Sequence, residues 1–245
     1  MIFTYTDFGF AGPYLGEMQA VLQRSAPEQS VVHLMADAPA FAPDAAGRLL
    51  AALARRFEPG DVCLAIVDPG VGGPRRPAVM RADGVWFVGP DNGLLAATAA
   101  RAEESEWWEI TLSPRELSRS FHGRDLFAPV AARLARAESP TVIGARPLFD
   151  PVSIDSNPEQ QIIYIDGYGN AVTGIDAGQL DPHSVLEVDG RRIEQAETFC
   201  GVKPGNLFWY ENSMGLVEIA ANRDNAARRL ALEIGTPVHL HQRKN

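Results

Sequence analysis

Three loop segments of the sequence carry side chains that could activate water or bind a small ligand. TDFG contains Asp7, VDPGVGGPRR contains Asp68 and Arg75, and FHGRDLFAP contains His122. All three follow apolar, strand-like runs, and open α/β sheets bind ligands at the carboxyl ends of their strands. These segments are therefore the first candidates for a functional site.

Each of these side chains also has a purely structural interpretation. Asp7 could receive the hydroxyls of a ribose, or it could cap the next helix. The glycines of VDPGVGGPRR let the backbone approach a ligand, although its arginines could equally lie on a solvated turn. His122 precedes a helix start, where the helix dipole disfavours the charged ring and suits it to act as a neutral acceptor or base. A structural histidine is the alternative.

Two other kinds of site lack support from the spacing. A phosphate loop needs a Lys followed by Ser or Thr, and VDPGVGGPRR has neither. A metal site would have to be gathered from residues that show no HExxH, HxH or DxD spacing. Those residues are Asp7, Asp68, Asp91, Asp125, His33 and His122. We therefore expect no metal.

Two turns in the second half of the chain also offer ligand-binding groups. DGYGN supplies a carboxylate at Asp166, an aromatic face at Tyr168 and an amide at Asn170. Such groups could bind an amine or hydroxyl, stack on a base and hydrogen-bond its edge. An ordinary hairpin turn is the other interpretation, and NSMG at 212–215 has the same ambiguity.

The elements that would position these segments change type along the chain. Residues 1–150 alternate apolar runs with helical patterns, including a helix over about Arg124 to Arg136, which predicts βαβ units and a mostly parallel sheet. An earlier amphipathic helix is expected to turn Arg48 towards solvent. PVSIDSNPEQ at 151–160 is typical of a linker, and residues 161–245 form strand-like runs broken by turns. The prediction is an α/β N-terminal domain and a smaller, β-rich C-terminal domain.

Composition narrows the class of protein further. The chain has 245 residues, 46% of them hydrophobic, so it is too apolar for a disordered protein and long enough for one or two domains. Its formal charge of −9 and its lack of a basic cluster argue against a nucleic-acid partner. No apolar run reaches membrane-spanning length, and Cys63 and Cys200 form neither a CxxC pair nor a disulfide framework. We expect a cytoplasmic protein with a small-molecule ligand and no membrane partner.

Six ordered segments together resemble one family. They are TDFG followed by YLGEMQAVL, VDPGVGGPRR, VGPDNG, FHGRDLFAPVAARLA, DGYGN and NSMGLVEIA. In this order they are similar to the motifs of the S-adenosylmethionine (SAM) hydroxide adenosyltransferases, the hydrolytic relatives of the fluorinase and chlorinase enzymes. The resemblance extends from about Thr6 to Ala220 and covers both halves of the chain.

The resemblance implies a fold, an assembly and a reaction. Family members look like two-domain proteins with a larger α/β N-terminal domain and a smaller β-barrel-like C-terminal domain. They look like homotrimers whose substrate lies between the N-terminal domain of one subunit and the C-terminal domain of the next. The implied reaction uses SAM as substrate without a cofactor and releases adenosine and methionine.

The resemblance also implies roles for particular residues. Asp68, Arg75 and His122 match the residues that handle the attacking water, with His122 accepting its proton. The residues that match substrate contacts are Asp7 at the ribose, Phe41, Phe199 and Asn212 on the substrate side, Tyr168 and Asn170 at the adenine, and Asp166 and Ser213 at the methionine.

Three positions depart from the family pattern, and other functions stay open. Gly12 stands where an aspartate is usual, Asp37 where a histidine is common, and Gly174 within TGI where TNI is usual. These changes spare the water-handling residues and fall on the methionine end. The alternatives are a protein that binds SAM without efficient cleavage and a halide-using adenosyltransferase. A carboxylate at Asp68 would oppose a desolvated halide, which favours hydrolysis.

Overall fold

The chain forms two compact units. The computed structural model describes residues 1–154, 160–181 and 184–241. The N-terminal unit is Met1–Ile154 and the C-terminal unit is Asp155–Asn245. The expected linker at 151–160 includes residues 155–159, which lie outside the described residues.

The N-terminal unit is built on one seven-stranded sheet with the strand order β2-β1-β3-β5-β4-β6-β7. The strands are β1 Ile2–Thr6, β2 Val31–Met35, β3 Val62–Ile66, β4 Arg76–Ala82, β5 Val85–Asp91, β6 Ser105–Ile110 and β7 Ala145–Pro147. β2, β1, β3 and β5 pair in parallel, β6 points the same way, and β4 and β7 run opposite to them. The mostly parallel sheet predicted from the alternating pattern is confirmed.

Helices cover both faces of this sheet. They are α1 Tyr14–Ser25, α2 Pro43–Leu53, α3 Ala96–Arg101, α4 Ala128–Ala135 and α5 Pro140–Ile143. Apolar residues of α1 and α4 pack with one face of the sheet, and residues of α2 pack in a separate core on the other face. Both faces of the sheet are therefore shielded from solvent. Strands that are apolar along their whole length, such as β3, are typical of a sheet covered on both faces.

The helix predicted over Arg124 to Arg136 is confirmed, although it begins with a π-helical turn, Gly123–Phe127, before α4. The prediction for Arg48 was wrong, because its side chain is buried rather than turned to solvent. α2 is covered on nearly all sides, and the Arg48 guanidinium donates to Asp44 at 3.3 Å one turn earlier. A pair of this kind lets a cation stay inside an apolar layer, which the sequence period could not show.

The C-terminal unit consists of two antiparallel sheets. The strands are β8 Ile162–Ile165, β9 Ala171–Asp176, β10 Val185–Val188, β11 Arg191–Ile193, β12 Leu207–Glu211, β13 Leu216–Ala221 and β14 His239–His241, with the helix α6 Ala226–Leu230. One sheet has the order β12-β13-β9-β8 and the other β11-β10-β14. Single bridges, Gln161 to Pro237 and Gln195 to Trp209, join them at both sides, so the arrangement is barrel-like. Among the described residues no helix combines the length and apolarity needed to cross a membrane.

A close backbone approach holds α2 against the loop before α3. A Cβ added at Gly47 would lie 2.5 Å from the carbonyl oxygen of Leu94, which is closer than non-bonded atoms can come. At Gly16 in α1 the same addition would meet nothing within 4 Å. Only the first of these helix glycines is therefore required by packing.

We expect Gly47→Ala to lower the free energy of unfolding by about 1–3 kcal/mol, because the helix must move away from the loop. Gly16→Ala is the matched control and should stabilise the protein by roughly 0.5–1 kcal/mol, since alanine is the better helix former. Denaturant unfolding curves measure both. Similar changes in the two variants would contradict the close approach.

Candidate active site

A pocket of about 440 Å³ lies beside the carboxyl ends of two neighbouring parallel strands in the N-terminal unit. Asp7 directly follows β1, Asp68 follows β3, and both line the pocket. His122, immediately before the π-helical turn, and Phe41 complete this part of the wall. The structure therefore brings together predicted residues that are far apart in sequence.

A buried ion pair fixes the loop after β3. The Nε of Arg75 donates to Asp68 Oδ1 at 3.0 Å and to Oδ2 at 2.9 Å, and its Nη2 donates to Oδ2 at 2.6 Å. The two side chains are only 10% and 6% exposed, and the guanidinium also lies 5.3 Å from the ring centre of Phe127. Removing either charge would leave the other buried and unpaired, which costs free energy. The ion pair therefore keeps the two side chains in this geometry.

Gly72 explains how this loop reaches the segment before His122. Its φ is +77°, and a Cβ there would lie 2.5 Å from the carbonyl oxygen of Arg119. Glycine alone meets both conditions without strain. The glycines of VDPGVGGPRR therefore serve a close contact within the protein, which the sequence pattern could not distinguish from an approach to a ligand.

The contact between Arg75 and His122 defines the proton arrangement of the imidazole. Arg75 Nη2 lies 2.9 Å from His122 Nδ1. A guanidinium can only donate, so Nδ1 must accept, and the neutral ring then carries its proton on Nε2. Burial lowers the pKa of His122, and the positive charge of Arg75 lowers it further, against smaller opposing effects of Asp68 and Asp125. The ring is therefore held neutral, with an N–H available at Nε2.

Asp7 is a carboxyl group with an unusual environment. Burial raises its pKa, and the negative charge of Asp68 adds to that effect, while backbone hydrogen bonds at Asp7 itself and Phe41 act in the opposite direction. Phe41 has a positive φ of 59° and is 82% exposed. An aromatic side chain held outward in the left-handed region at a pocket is a sign of a binding role rather than of packing.

Sequence reasoning missed an aromatic and charged part of the same pocket. Phe8, Tyr14 and Phe121 stand edge to face with ring centres 5.3–6.0 Å apart. Arg124 lies over the ring of Phe121 and donates to Glu17 at 2.5 Å. TDFG and FHGRD contain two of these rings, so the aromatic content of the motifs was the available signal.

The VGPDNG segment is most simply a turn in which Asp91 caps the helix that begins near Leu94, but this prediction is wrong. Helix α3 has no side-chain cap, and Asn92 Oδ1 accepts a hydrogen bond from the Leu94 backbone at 3.2 Å. Asp91 is buried and instead pairs with Arg76 at 2.7 Å, and Arg76 also reaches Asp150 at 2.8 Å. The second arginine of VDPGVGGPRR is therefore a structural bridge.

A second pocket, of about 880 Å³, lies in the C-terminal unit. It contains every residue of that unit that the sequence assigned to substrate binding. These residues are Asp166, Tyr168, Asn170, Phe199, Asn212 and Ser213. Tyr168 is 83% exposed, so its ring is free to lie against a ligand.

Both turns of this pocket are built by their own polar side chains. Asp166 Oδ1 accepts from the backbone of Tyr168 and of Asn170, each at 2.9 Å, and its Oδ2 accepts from the Asn170 amide at 3.0 Å. Asn212 Oδ1 accepts from the backbone of Met214 at 2.9 Å and of Leu216 at 3.1 Å. The two interpretations of these segments, an ordinary hairpin turn and a ligand-binding turn, are therefore compatible. A turn that is held rigid by its own hydrogen bonds can present polar groups to a pocket.

Glu218 is a second feature that the sequence reasoning missed. It lies in β13, is 6% exposed, and lines the pocket. Tyr210 donates to Oε1 at 2.6 Å and Asn212 donates to Oε2 at 2.9 Å. Burial raises the pKa of Glu218, and Asp166 contributes in the same direction. A single carboxylate in the otherwise apolar run LVEIAA was the signal for it.

The residues that depart from the family pattern do not themselves line either pocket. Gly12, Asp37 and Gly174 are absent from the walls of either one. Within the part of the chain that the structure describes, no three His, Cys, Asp or Glu side chains are grouped as a metal site would require.

The fold and the two pockets define a two-domain α/β protein with a small-molecule site. The family model for the SAM hydroxide adenosyltransferase N-terminal domain matches residues 2–144, and that for the C-terminal domain matches residues 160–239. The chain belongs to this SAM hydroxide adenosyltransferase family. The resemblance recognised in the sequence motifs is confirmed.

Relatives match over nearly the whole chain. A protein of Thermus thermophilus named (R)-S-adenosyl-L-methionine hydrolase is 36% identical and covers 98% of both chains. One of the same name from Salinispora arenicola is 36% identical over 94% of this chain and 93% of its own. A crystal structure of an uncharacterised conserved protein from Thermotoga maritima superposes with a TM-score of 0.90 at 28% identity, over 99% of this chain and 100% of that one.

We expect His122 to titrate below its ordinary pKa of about 6.5, because burial and the Arg75 charge both disfavour the imidazolium. Arg75→Gln should raise this pKa by removing the nearby cation. Histidine NMR titrations measure both. His33, whose pKa is lowered by burial alone, is the internal control and should not move in the variant. A His122 pKa unchanged by Arg75→Gln would contradict the assigned contact.

Proposed function

We propose that the chain hydrolyses SAM to adenosine and L-methionine by attack of water on the ribose 5′ carbon. The observation that carries this proposal is the contact of one buried arginine with both Asp68 and His122 at the pocket wall. Family membership and the printed names of the relatives support the same reaction.

The difficult step of this reaction is the activation of the nucleophile, not the departure of the leaving group. The C5′–S bond breaks with its electron pair moving to sulfur, which leaves as the neutral thioether of methionine and needs no acid. Water is a poor nucleophile, and one of its protons must leave as its oxygen bonds to C5′. Arg75 supplies a permanent positive charge next to Asp68 and His122, which line the pocket, and His122 can donate to the water oxygen through Nε2–H.

Asp68 is the group that takes the proton in this proposal. The sequence assigned this role to His122, but its Nδ1 is occupied by Arg75 and its Nε2 carries a hydrogen. Asp68 Oδ1 accepts one hydrogen bond from Arg75, whereas Oδ2 accepts two, so Oδ1 keeps a lone pair for the water proton. No metal or cofactor takes part in these steps.

The product assay tests the function directly. SAM incubated with the protein should give equal amounts of adenosine and methionine, unchanged by a chelator or by added fluoride, chloride or bromide. Asp68→Asn should lower kcat by about 10²–10⁴-fold, because the amide cannot accept the proton. His122→Gln should retain more activity than His122→Ala, since its amide still offers an N–H donor.

Glu109→Gln is the control for these variants, because Glu109 pairs with Arg146 at the surface and should leave the rate unchanged. Halogenated adenosine would identify a halide-using enzyme, and SAM that binds but stays intact would identify a sensor. Greater activity in His122→Ala than in His122→Gln would contradict the donor role.

We further propose a homotrimer in which each active site is shared between subunits. This finer proposal is supported by family resemblance and by the division of the assigned residues. The residues for water lie in the pocket of the N-terminal unit, and those for adenine and methionine line the pocket of the C-terminal unit.

Complementation tests the shared site. His122→Ala and Tyr168→Ala chains should each be nearly inactive alone, and a mixture refolded or co-expressed together should regain up to about a quarter of the wild-type sites. Tyr168 is exposed, so its truncation should not impair folding. Sedimentation measures the assembly in parallel. Mixed trimers that show no recovery would exclude a site shared in this way.

A further inference from the structure

A buried aromatic ring lies against the arginine of the N-terminal pocket. The guanidinium carbon of Arg75 lies over the ring of Phe127, 5.3 Å from the ring centre, and Phe127 is fully buried. The face of an aromatic ring is negative and attracts a cation within about 6 Å, most strongly where water is excluded. Such a contact leaves the N–H groups of the guanidinium for other acceptors. Arg75 therefore has an attractive neighbour besides Asp68 and His122.

The π-helical turn explains how Phe127 and His122 reach the same guanidinium. His122 directly precedes this turn and Phe127 ends it, so the two residues are five positions apart. In a regular α-helix five positions rotate one side chain by about 140° from the other, and the two would face different ways. A π-helical turn joins residues five apart, and the Ala128 N–H donates to the Gly123 carbonyl in this way. His122 and Phe127 can therefore both face Arg75.

The ring is more firmly held than the loop that carries the arginine. Phe127 belongs to the apolar core that α1 and α4 form with the sheet. The loop between Asp68 and Arg75 is exposed at 69–70 and 72–74. A long side chain on such a loop loses rotamer freedom when it is ordered, and a neighbour locked by packing can fix its position. Phe127 is the neighbour of this kind.

We propose that Phe127 is a positioning residue whose ring face holds the Arg75 guanidinium against Asp68 and His122. Phe127 does not line the pocket, so it acts through Arg75 and not on the substrate. The inference rests on the proposed function where it concerns the rate of SAM cleavage. The orientation of Arg75 is measurable without any reaction.

The first test compares two buried phenylalanines. Phe127→Leu removes the ring and keeps an apolar side chain. Phe87→Leu is the matched control, because Phe87 is almost fully buried but lies in the core on the other face of the sheet. Neither substitution removes a charged group that influences His122, which are Arg75, Asp68 and Asp125. Denaturant unfolding, SAM hydrolysis kinetics and histidine NMR titrations are measured for both variants.

We expect both variants to lose stability, since each leaves a cavity. Phe127→Leu alone should lower kcat by about tenfold, with KM within about twofold of wild type. It should also raise the pKa of His122, because the charge of Arg75 is held less closely to the imidazole. Phe127→Leu that matches Phe87→Leu in kcat and in the His122 pKa would overturn the proposal.

A second test separates the charge of the ring face from its volume. Phenylalanines with one, two or three ring fluorines are placed at position 127, where fluorine withdraws electron density from the ring face and weakens its attraction for a cation. The rate and the His122 pKa should change stepwise with fluorine number, at a nearly constant midpoint of unfolding. The same series at Phe87 should leave both unchanged.

A loss in Phe127→Leu without a stepwise response to fluorine would show that the ring acts by its volume alone, and would also overturn the proposal. Wild-type protein that releases no adenosine from SAM would instead contradict the proposed function. The His122 titrations would then still decide whether Phe127 positions Arg75.

Discussion

The contact of Arg75 with two partners is the interaction on which the N-terminal pocket depends. A guanidinium is always charged and can only donate, so whatever it touches must accept. It therefore orients the carboxylate of Asp68 and fixes the tautomer of His122. The parallel strands supply the loop that carries Asp68, and the π-helical turn begins next to His122. The fold brings these elements together, and the arginine gives them one proton arrangement.

The C-terminal pocket depends instead on hydrogen bonds that hold its turns in place. Its polar groups lie on hairpin turns, which are mobile unless something holds them. Asp166 and Asn212 accept hydrogen bonds from the backbone of their own turns, and Glu218 holds the Asn212 amide from the neighbouring strand. A ligand that enters such a pocket has less ordering to impose, so more of its contact energy appears as affinity.

Features that depend on local sequence pattern could be predicted from the sequence. Features that depend on contacts between residues distant in the sequence could not. The strand and helix pattern gave the mostly parallel sheet, and the motif order gave the family. Arg48 was placed in solvent because periodicity cannot show that a helix is covered on its polar side as well. Asp91 suits a helix cap by its residue type, but its carboxylate pairs with the distant Arg76 instead. Partners of this kind are fixed by topology, which a one-dimensional pattern does not contain.

The charge of SAM changes during the proposed reaction. Attack on C5′ converts the sulfonium into a neutral thioether, so contacts to the sulfonium are stronger in the substrate than in the products. A contact that binds the ground state as well as the transition state improves affinity and does not raise kcat. In the proposed scheme, the residues assigned to adenine and methionine therefore set affinity, whereas the rate depends on Arg75 and its partners. These two sets of residues lie in separate units of the chain.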